Sequence, residues 1–331
     1  MNFFTTYFIY YPVFWLGYLV FRLTGRTPNM SYLFFRKLYC YTNGGINEYV
    51  SRMIASSHKP GTRDHAEGIL GKLSARDIQY IVGEIRENGF HVFELKADHA
   101  ICDELIEFAK RTPANIIPNP NKLPMQVFDK NNVAGPRYQF TEQDLFELRA
   151  TQQLVTDHTL LAVAESYLKS AVVNDSVTMW WSSPFSKKAS SAAAQLYHFD
   201  MDRFKFIKFF IYLTDVHSGN GPHCYVRGSH TEKPKKLRRD GRIEDEEIAA
   251  SYPANNLIEI TGSKGTIIAV DTSGFHKGKP LENGERLLYQ IEYTNSLFGQ
   301  KFNKVKINSK FTEDFLSKIR SMPYTFSRLV N

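Results

Sequence analysis

The chain has 331 residues, 43% of them hydrophobic and 23% charged, with a formal net charge of +7. This length and balance fit one large or two small folded domains and exclude disordered and collagen-like classes. The positive charge admits an anionic substrate or membrane surface, but no helix-turn-helix, zinc-finger or RNA-recognition signature accompanies it, so nucleic acid is not an expected partner. Cys40, Cys102 and Cys224 are widely spaced and odd in number. That argues against a disulfide framework or a paired-cysteine zinc site and suits a reducing cytoplasm.

The first stretch, Asn2 to Phe21, is uncharged and is followed by Arg22 and Arg26. Its length is that of a membrane span, about 20 residues, but four tyrosines, two threonines and Pro12 suit an interface or a protein core better than a lipid centre. The basic start and small-residue cleavage site of a signal peptide are missing. The expectation is an aromatic helix packed on the rest of the protein; peripheral membrane contact through residues 2–21 is the alternative. Residues 1–70 thus form an N-terminal extension. Residues 71–331 form a single domain with a helical part (71–170), a barrel (171–300) and a C-terminal tail (301–331).

Ser74 is placed to cap a helix whose apolar positions are Ile78, Ile81, Val82 and Ile85 and which Asn88-Gly89 ends. "FHVFEL" reads as a strand and "DHAICDELIEFAKRT" as a second amphipathic helix. "PANIIPNPNKLP" reads as loop. "TEQDLFELRATQQLV" and "DHTLLAVAESYLKS" read as two further helices capped by Thr141 and Asp157. From about residue 171 the pattern turns to strands: "AVVNDSVTMWWSS", "QLYHFD", "FKFIKFFIYLTDV", "CYVRGS", "NLIEITGSKGTIIAVD" and "RLLYQIEYTN". Such a series predicts a barrel or sandwich with the earlier helices outside it. The basic run "KPKKLRRDGR" and the acidic "EDEE" after it read as a charge-mixed surface.

His198 and Asp200 are two residues apart on a strand-like segment, so their side chains share a face. An imidazole nitrogen and a carboxylate oxygen suit a divalent metal such as Fe(II). A third candidate, His276, follows the apolar run "TIIAVD". Ten residues later Arg286 offers a planar fork of donors for a carboxylate. On "FKFIKFFIYL", alternation puts Phe206, Lys208, Phe210 and Tyr212 on a cavity-facing side, with Ile207, Phe209, Ile211 and Leu213 in the core. His217, His223 and His230 read as loop hydrogen-bonding residues rather than ligands.

The stretches "QLYHFD", "IYLTDVHSGNGPHCYVRGSH", "GTIIAVDTSGFHKGKP" and "ERLLYQIEY" resemble the phytanoyl-CoA dioxygenase family of iron(II)/2-oxoglutarate-dependent oxygenases. Arg227 stands where that family usually has proline before Gly-Ser-His, a departure in a loop rather than at the metal. The resemblance implies a mainly β fold with flanking helices: a double-stranded β-helix, or jelly-roll barrel, with N-terminal helices outside. It implies Fe(II), 2-oxoglutarate and O2 as cofactors, with His198, Asp200 and His276 as iron ligands. Arg286 would hold the distal carboxylate of 2-oxoglutarate, and Gln195 and Tyr212 are further candidate contacts. Because Asp200 is present, hydroxylation of a small or lipid-like molecule is expected rather than halogenation. The alternative is a non-catalytic cupin-like protein that binds a metal or small molecule, at a membrane or free of one. Substrate identity and oligomeric state stay open.

Overall fold

The computed structural model describes residues 6–61, 65–186 and 188–330; residues 2–5 of the uncharged N-terminal stretch lie outside the described residues. A turn of π-helix over Thr6–Tyr10 leads into α1 (Tyr11–Thr24), followed by α2 (Asn29–Thr42) and α3 (Gly45–Ser57). Gly25 (φ 69°) and Asn43 (φ 51°) end α1 and α2 in the left-handed region that glycine and asparagine tolerate best. The inner faces of these helices bring Phe14, Tyr18, Phe35 and Leu38 onto Phe204 and Phe298. These helices therefore pack on loops of the barrel rather than on the helices after Ser74.

A hairpin of β1 (His65–Gly68) and β2 (Gly71–Ser74) precedes α4 (Ala75–Asn88). The Ser74 hydroxyl accepts from the Asp77 amide at 3.3 Å, and the Asp77 carboxylate accepts from the Ser74 amide at 2.9 Å, a reciprocal cap. Gly89 (φ 90°) ends the helix. Next come β3 (Phe90–Val92) and α5 (His99–Arg111), capped by Asp98.

Two expectations fail in the following region. The Pro/Asn-rich connection contains a strand, β4 (Asn115–Ile117), paired with β5 (Arg137–Gln139). It lies at the sheet edge, where one ladder suffices and neighbouring prolines are tolerated. The helix expected over 141–155 is two, α6 (Glu142–Phe146) and α7 (Arg149–Val155), because Leu148 is extended at φ −84°, ψ 135°. The break lets Leu145 and Phe146 as well as Leu154 and Val155 reach one core. In α8 (His158–Leu168), Asp157 accepts from the amides of Thr159 and Leu160.

The barrel strands are β6 (Val173–Ser182), β7 (Phe206–Tyr212), β8 (His223–Val226), β9 (Leu257–Ile260), β10 (Ile267–Val270), β11 (His276–Gly278) and β12 (Arg286–Thr294). A larger sheet has the order β3-β10-β7-β12-β6-β5-β4 and a smaller one β11-β8-β9. The inner cluster joins Trp180, Phe210, Tyr212 and Leu288 of the larger sheet to Tyr225 and Ile260 of the smaller. The result is a jelly-roll barrel, a double-stranded β-helix. Ile207, Phe209 and Ile211 turn to the other face and share the main core with Leu160, Leu161 and Val163 of α8. The alternation read on this strand therefore holds. "QLYHFD" is not a continuous strand: it makes only the bridges Tyr197–Ile243 and His198–His276. Beyond them the chain leaves the sheet, and α3 holds it through the Asn47 amide, which donates to the Phe204 carbonyl at 2.9 Å.

Candidate active site

Four cross-strand rows face the barrel interior. On β12, residues Arg286, Leu288, Gln290 and Glu292 alternate inward; β6 sets Ser182, Trp180, Thr178 and Ser176 opposite them. On its other side β7 sets Tyr212, Phe210 and Lys208 opposite Leu288, Gln290 and Glu292. Arg137 of β5 pairs with Ser182. The wall thus runs from cationic through apolar to amide, hydroxyl and carboxylate groups, over roughly 20 Å of strand at about 3.4 Å per residue. A cavity of about 480 Å³ follows this wall and is closed in front by His198, Asp200 and His276.

Ligand atoms of these three residues all lie within 4.8 Å of one another. His198 Nε2 is 3.8 Å from Asp200 Oδ1, and His276 Nε2 is 3.7 Å from Asp200 Oδ2. Each Nδ1 meets a backbone carbonyl, Leu196 O at 2.9 Å and Gly274 O at 3.0 Å. A carbonyl only accepts, so each Nδ1 carries the proton and each Nε2 presents a lone pair toward Asp200. Burial, then the neighbouring His276, pushes the His198 imidazole down to about 3, and burial also lowers His276. Both rings are neutral at neutral pH, the form that binds metal. Asp200 is largely withdrawn from solvent, which alone would raise it, but Lys208 and the two histidines hold it well below the usual carboxylate range. Lys208 Nζ donates to Asp200 Oδ2 at 2.7 Å. Two neutral imidazoles and one fixed carboxylate on one side fit a divalent first-row cation such as Fe(II).

Arg286 lies at the cationic end, with its terminal nitrogen donating to Ser182 Oγ at 3.1 Å. A Cβ added at Gly278 would come within 3.3 Å of that guanidinium, so glycine leaves it room. The Arg137 guanidinium stacks over Trp180 at 4.0 Å. Burial, then the like charge of Arg286, pushes it down to about 9. The Nε atoms of both arginines are buried without a hydrogen-bond acceptor. A buried and a half-buried cation side by side, each with an unused buried donor, suit an anion. Sequence reasoning missed Arg137, which stands 61 positions before His198 in a three-residue strand; only strand pairing reveals it.

At the other end, burial outweighs Lys208 and raises the Glu292 carboxyl to about 8. Lys208 lies 3.5 Å from Glu292 against 2.7 Å from Asp200, so its charge is spent mainly on Asp200. Asp202 is raised to about 6 by burial and then by Asp200. The Oε1 of Glu292 and the Oγ1 of Thr178 are buried and unbonded.

Three sequence expectations need correction. Gln195 is behind the wall: its Oε1 accepts from the Ser190 amide at 2.8 Å and shapes the loop whose Ala192–Ala194 border the cavity. Tyr212 points into the barrel interior but does not line the cavity, donating to the Ile260 carbonyl at 2.7 Å and accepting from the His223 amide at 3.1 Å. Its hydroxyl is used as donor and acceptor in holding backbone. His223 is no loop residue. It opens β8, lines the cavity, and its ring sits 5.6 Å from that of His276. Arg242 of the basic run reaches the cavity as well, while the rest of that run lies elsewhere.

Residues 85–286 match the model of the phytanoyl-CoA dioxygenase (PhyH) family. The match spans more than half of the chain, and the chain belongs to that family. It is thereby an iron- and 2-oxoglutarate-dependent oxygenase by family, with Fe(II), 2-oxoglutarate and O2 as cofactors. Among solved structures it is similar to HygX from Streptomyces hygroscopicus with nickel and 2-oxoglutarate bound (15% identity, TM-score 0.49, covering 73% of this chain and 94% of that one). It is also similar to EctD from S. alaskensis with bound Fe (19%, 0.48, 72% and 80%) and AviO1 from Streptomyces viridochromogenes Tue57 (19%, 0.46, 67% and 96%). No curated protein sequence matches the chain. Among the described residues no helix is long and apolar enough to cross a membrane.

Proposed function

We propose that this protein is a 2-oxoglutarate-dependent hydroxylase of a polar small molecule, working in a reducing cytoplasm through His198, Asp200 and His276. The observation that carries the reading is the convergence of two neutral imidazole Nε2 atoms and one lysine-held carboxylate within 4.8 Å, in a cavity whose far end holds two unpaired arginines. When bound, iron supplies the oxidation: one atom of O2 enters a substrate C–H bond to give an alcohol, the other enters succinate, and CO2 leaves.

The chain's own residues do the rest. His198, Asp200 and His276 hold the metal on one side and leave its other positions open. Lys208 keeps Asp200 charged and fixes its orientation through the 2.7 Å hydrogen bond. Arg286 grips the distal carboxylate of 2-oxoglutarate with its fork, and Arg137 adds a second cation. Trp180, Phe210 and Leu288 exclude water between the two ends. Thr178, Gln290 and Glu292 offer substrate hydroxyl or amine groups a hydrogen-bonding end, which disfavours a long acyl chain as the buried part. Residues 71–331 constitute the oxygenase unit, and helices α1 to α3 of the N-terminal extension support it from behind the ligand-bearing segment through Phe204.

An anaerobic titration with Fe(II) and 2-oxoglutarate tests the reading. A weak visible charge-transfer band is expected, followed in air by succinate formation stimulated by polar metabolite fractions. A band without any stimulated turnover would favour the cupin-like binding protein; no band would remove the metal site.

A further inference from the structure

The first N-terminal helix is apolar on both faces. Helix α1 buries Phe14, Gly17 and Tyr18. Its opposite face reads Pro12, Leu16, Leu19, Leu23, spaced 4, 3 and 4 residues apart, which is one stripe of a helix. Leu16 is 63% exposed, Leu19 55% and Leu23 78%; Phe8, one turn earlier, is 64% exposed. Across the turn into α2, Met30 (54%) and Leu33 (41%) are exposed as well. A helix on the surface of a water-soluble protein carries polar residues along such a stripe, and a contiguous row of bare leucines marks a contact site.

Charge selects the partner. Residues 6–61 carry Arg22, Arg26, Arg36, Lys37, Arg52 and Lys59 against the single acid Glu48, which is five of the chain's seven excess positive charges. Arg22 and Arg26 are exposed and flank Leu23 at the end of the stripe. A second copy meeting this face would bring like charge onto like charge. A bilayer containing anionic lipid matches both features, since leucines enter the acyl boundary and arginines meet phosphate. One face of α1 is packed on Phe204 and Phe298, and among the described residues no helix is long and apolar enough to cross a membrane, so the helix would lie in the plane of the interface.

We infer that the outer face of α1, extended by Met30 and Leu33, is a docking surface for an anionic membrane, on which the protein sits peripherally. The same helices hold the chain next to the metal ligands: Tyr39 stacks on Phe199 at 5.5 Å, and the Tyr32 hydroxyl donates to Asp202 at 3.4 Å. The surface and the cavity therefore share one rigid support, and the inference stands whether or not the proposed hydroxylation does.

The test uses the full chain, co-sedimented with vesicles of phosphatidylcholine alone or mixed with phosphatidylserine. The wild type is expected to sediment with the mixed vesicles, less with the neutral ones, and to be released by salt. A triple Leu16→Glu, Leu19→Glu, Leu23→Glu variant should lose binding at least tenfold, with an unchanged melting temperature because the three side chains are exposed. Arg22→Gln with Arg26→Gln should weaken binding roughly fivefold per arginine. Wild type that stays in the supernatant with mixed vesicles, or a folded triple variant that binds as wild type does, overturns the inference. So does a wild type that dimerises through this face and ignores vesicles.

Discussion

The two ends of the cavity treat buried charge in opposite ways. At one end Arg137 and Arg286 stand side by side with no carboxylate between them, and burial lowers both. At the other end Lys208 is shared among Asp200, Glu292 and Asp202, and burial raises the two carboxylates that it does not hold tightly. The first end is complete only with an anion from outside. The second is balanced within the protein, and its surplus is hydrogen-bonding capacity. The proposed placement of a dicarboxylate at the first end and a polar substrate at the second rests on this contrast.

The harshest way to break this contrast is at its middle. Asp200→Ala removes a ligand and strands Lys208, a buried cation that keeps only the 3.5 Å contact with Glu292. Iron-dependent succinate formation should fall to background, and stability should drop by about 3–5 kcal/mol, measured by denaturant unfolding. Retained turnover would remove Asp200 from the metal site. The cationic end is sharpened by Arg286→Lys, which keeps the charge and loses the fork. The 2-oxoglutarate concentration for half-maximal turnover should rise roughly ten- to hundredfold, the worth of about 1.5–3 kcal/mol for a charge-assisted hydrogen bond. An unchanged requirement would move the cosubstrate away from this arginine.

At the acidic end the effect is smaller and depends on pH. Glu292 is raised in the folded protein, so between its unfolded value near 4.5 and about 8 the folded state binds more protons than the unfolded one. Stability from this group is full below that window and declines as pH rises through it. Glu292→Gln cannot ionise and should flatten that decline, leaving the variant relatively more stable above about pH 8. Its substrate KM should rise severalfold while its 2-oxoglutarate requirement stays put. Parallel melting curves for variant and wild type across the window would show that Glu292 does not titrate there.

Much of this contrast was legible in the sequence. His198 and Asp200 drew attention through their two-residue spacing, although their segment is no continuous strand, and His276 and Arg286 through the order of motifs along the chain and the family resemblance. The alternation of β7 separated Lys208 and Phe210 from Ile207 and Phe209 because side-chain direction on a strand is fixed locally. What stayed hidden depends on pairing between distant strands. Arg137 enters the site through β5, a three-residue strand pinned by β6. His223 looked like a loop residue because Gly221 and Pro222 precede it, yet its pairing with Ile260 and Gly278 makes it a wall. Composition could not say which side of the first helix packs, because its buried face (Phe14, Tyr18) and its exposed face (Leu16, Leu19, Leu23) are both apolar.

Gln195 and Tyr212 show the converse error, in which the right neighbourhood suggested contact. Tyr212 shares the inward register of β7 with Phe210, but its hydroxyl spans the gap to the smaller sheet and ties Ile260 and His223. Tyr212→Phe deletes both hydrogen bonds while keeping the ring. The Ile260 carbonyl and the His223 amide are then left without that partner in a dry interior, at a cost of about 1–3 kcal/mol. The melting temperature should fall by a few degrees, with the 2-oxoglutarate requirement unchanged within error. The opposite result, a raised requirement at constant stability, would put the phenol in contact with the cosubstrate. The cationic end would then need a neutral third donor beside its two arginines. Because the hydroxyl is fully enclosed and both its partners are backbone atoms, the loss should appear in stability alone.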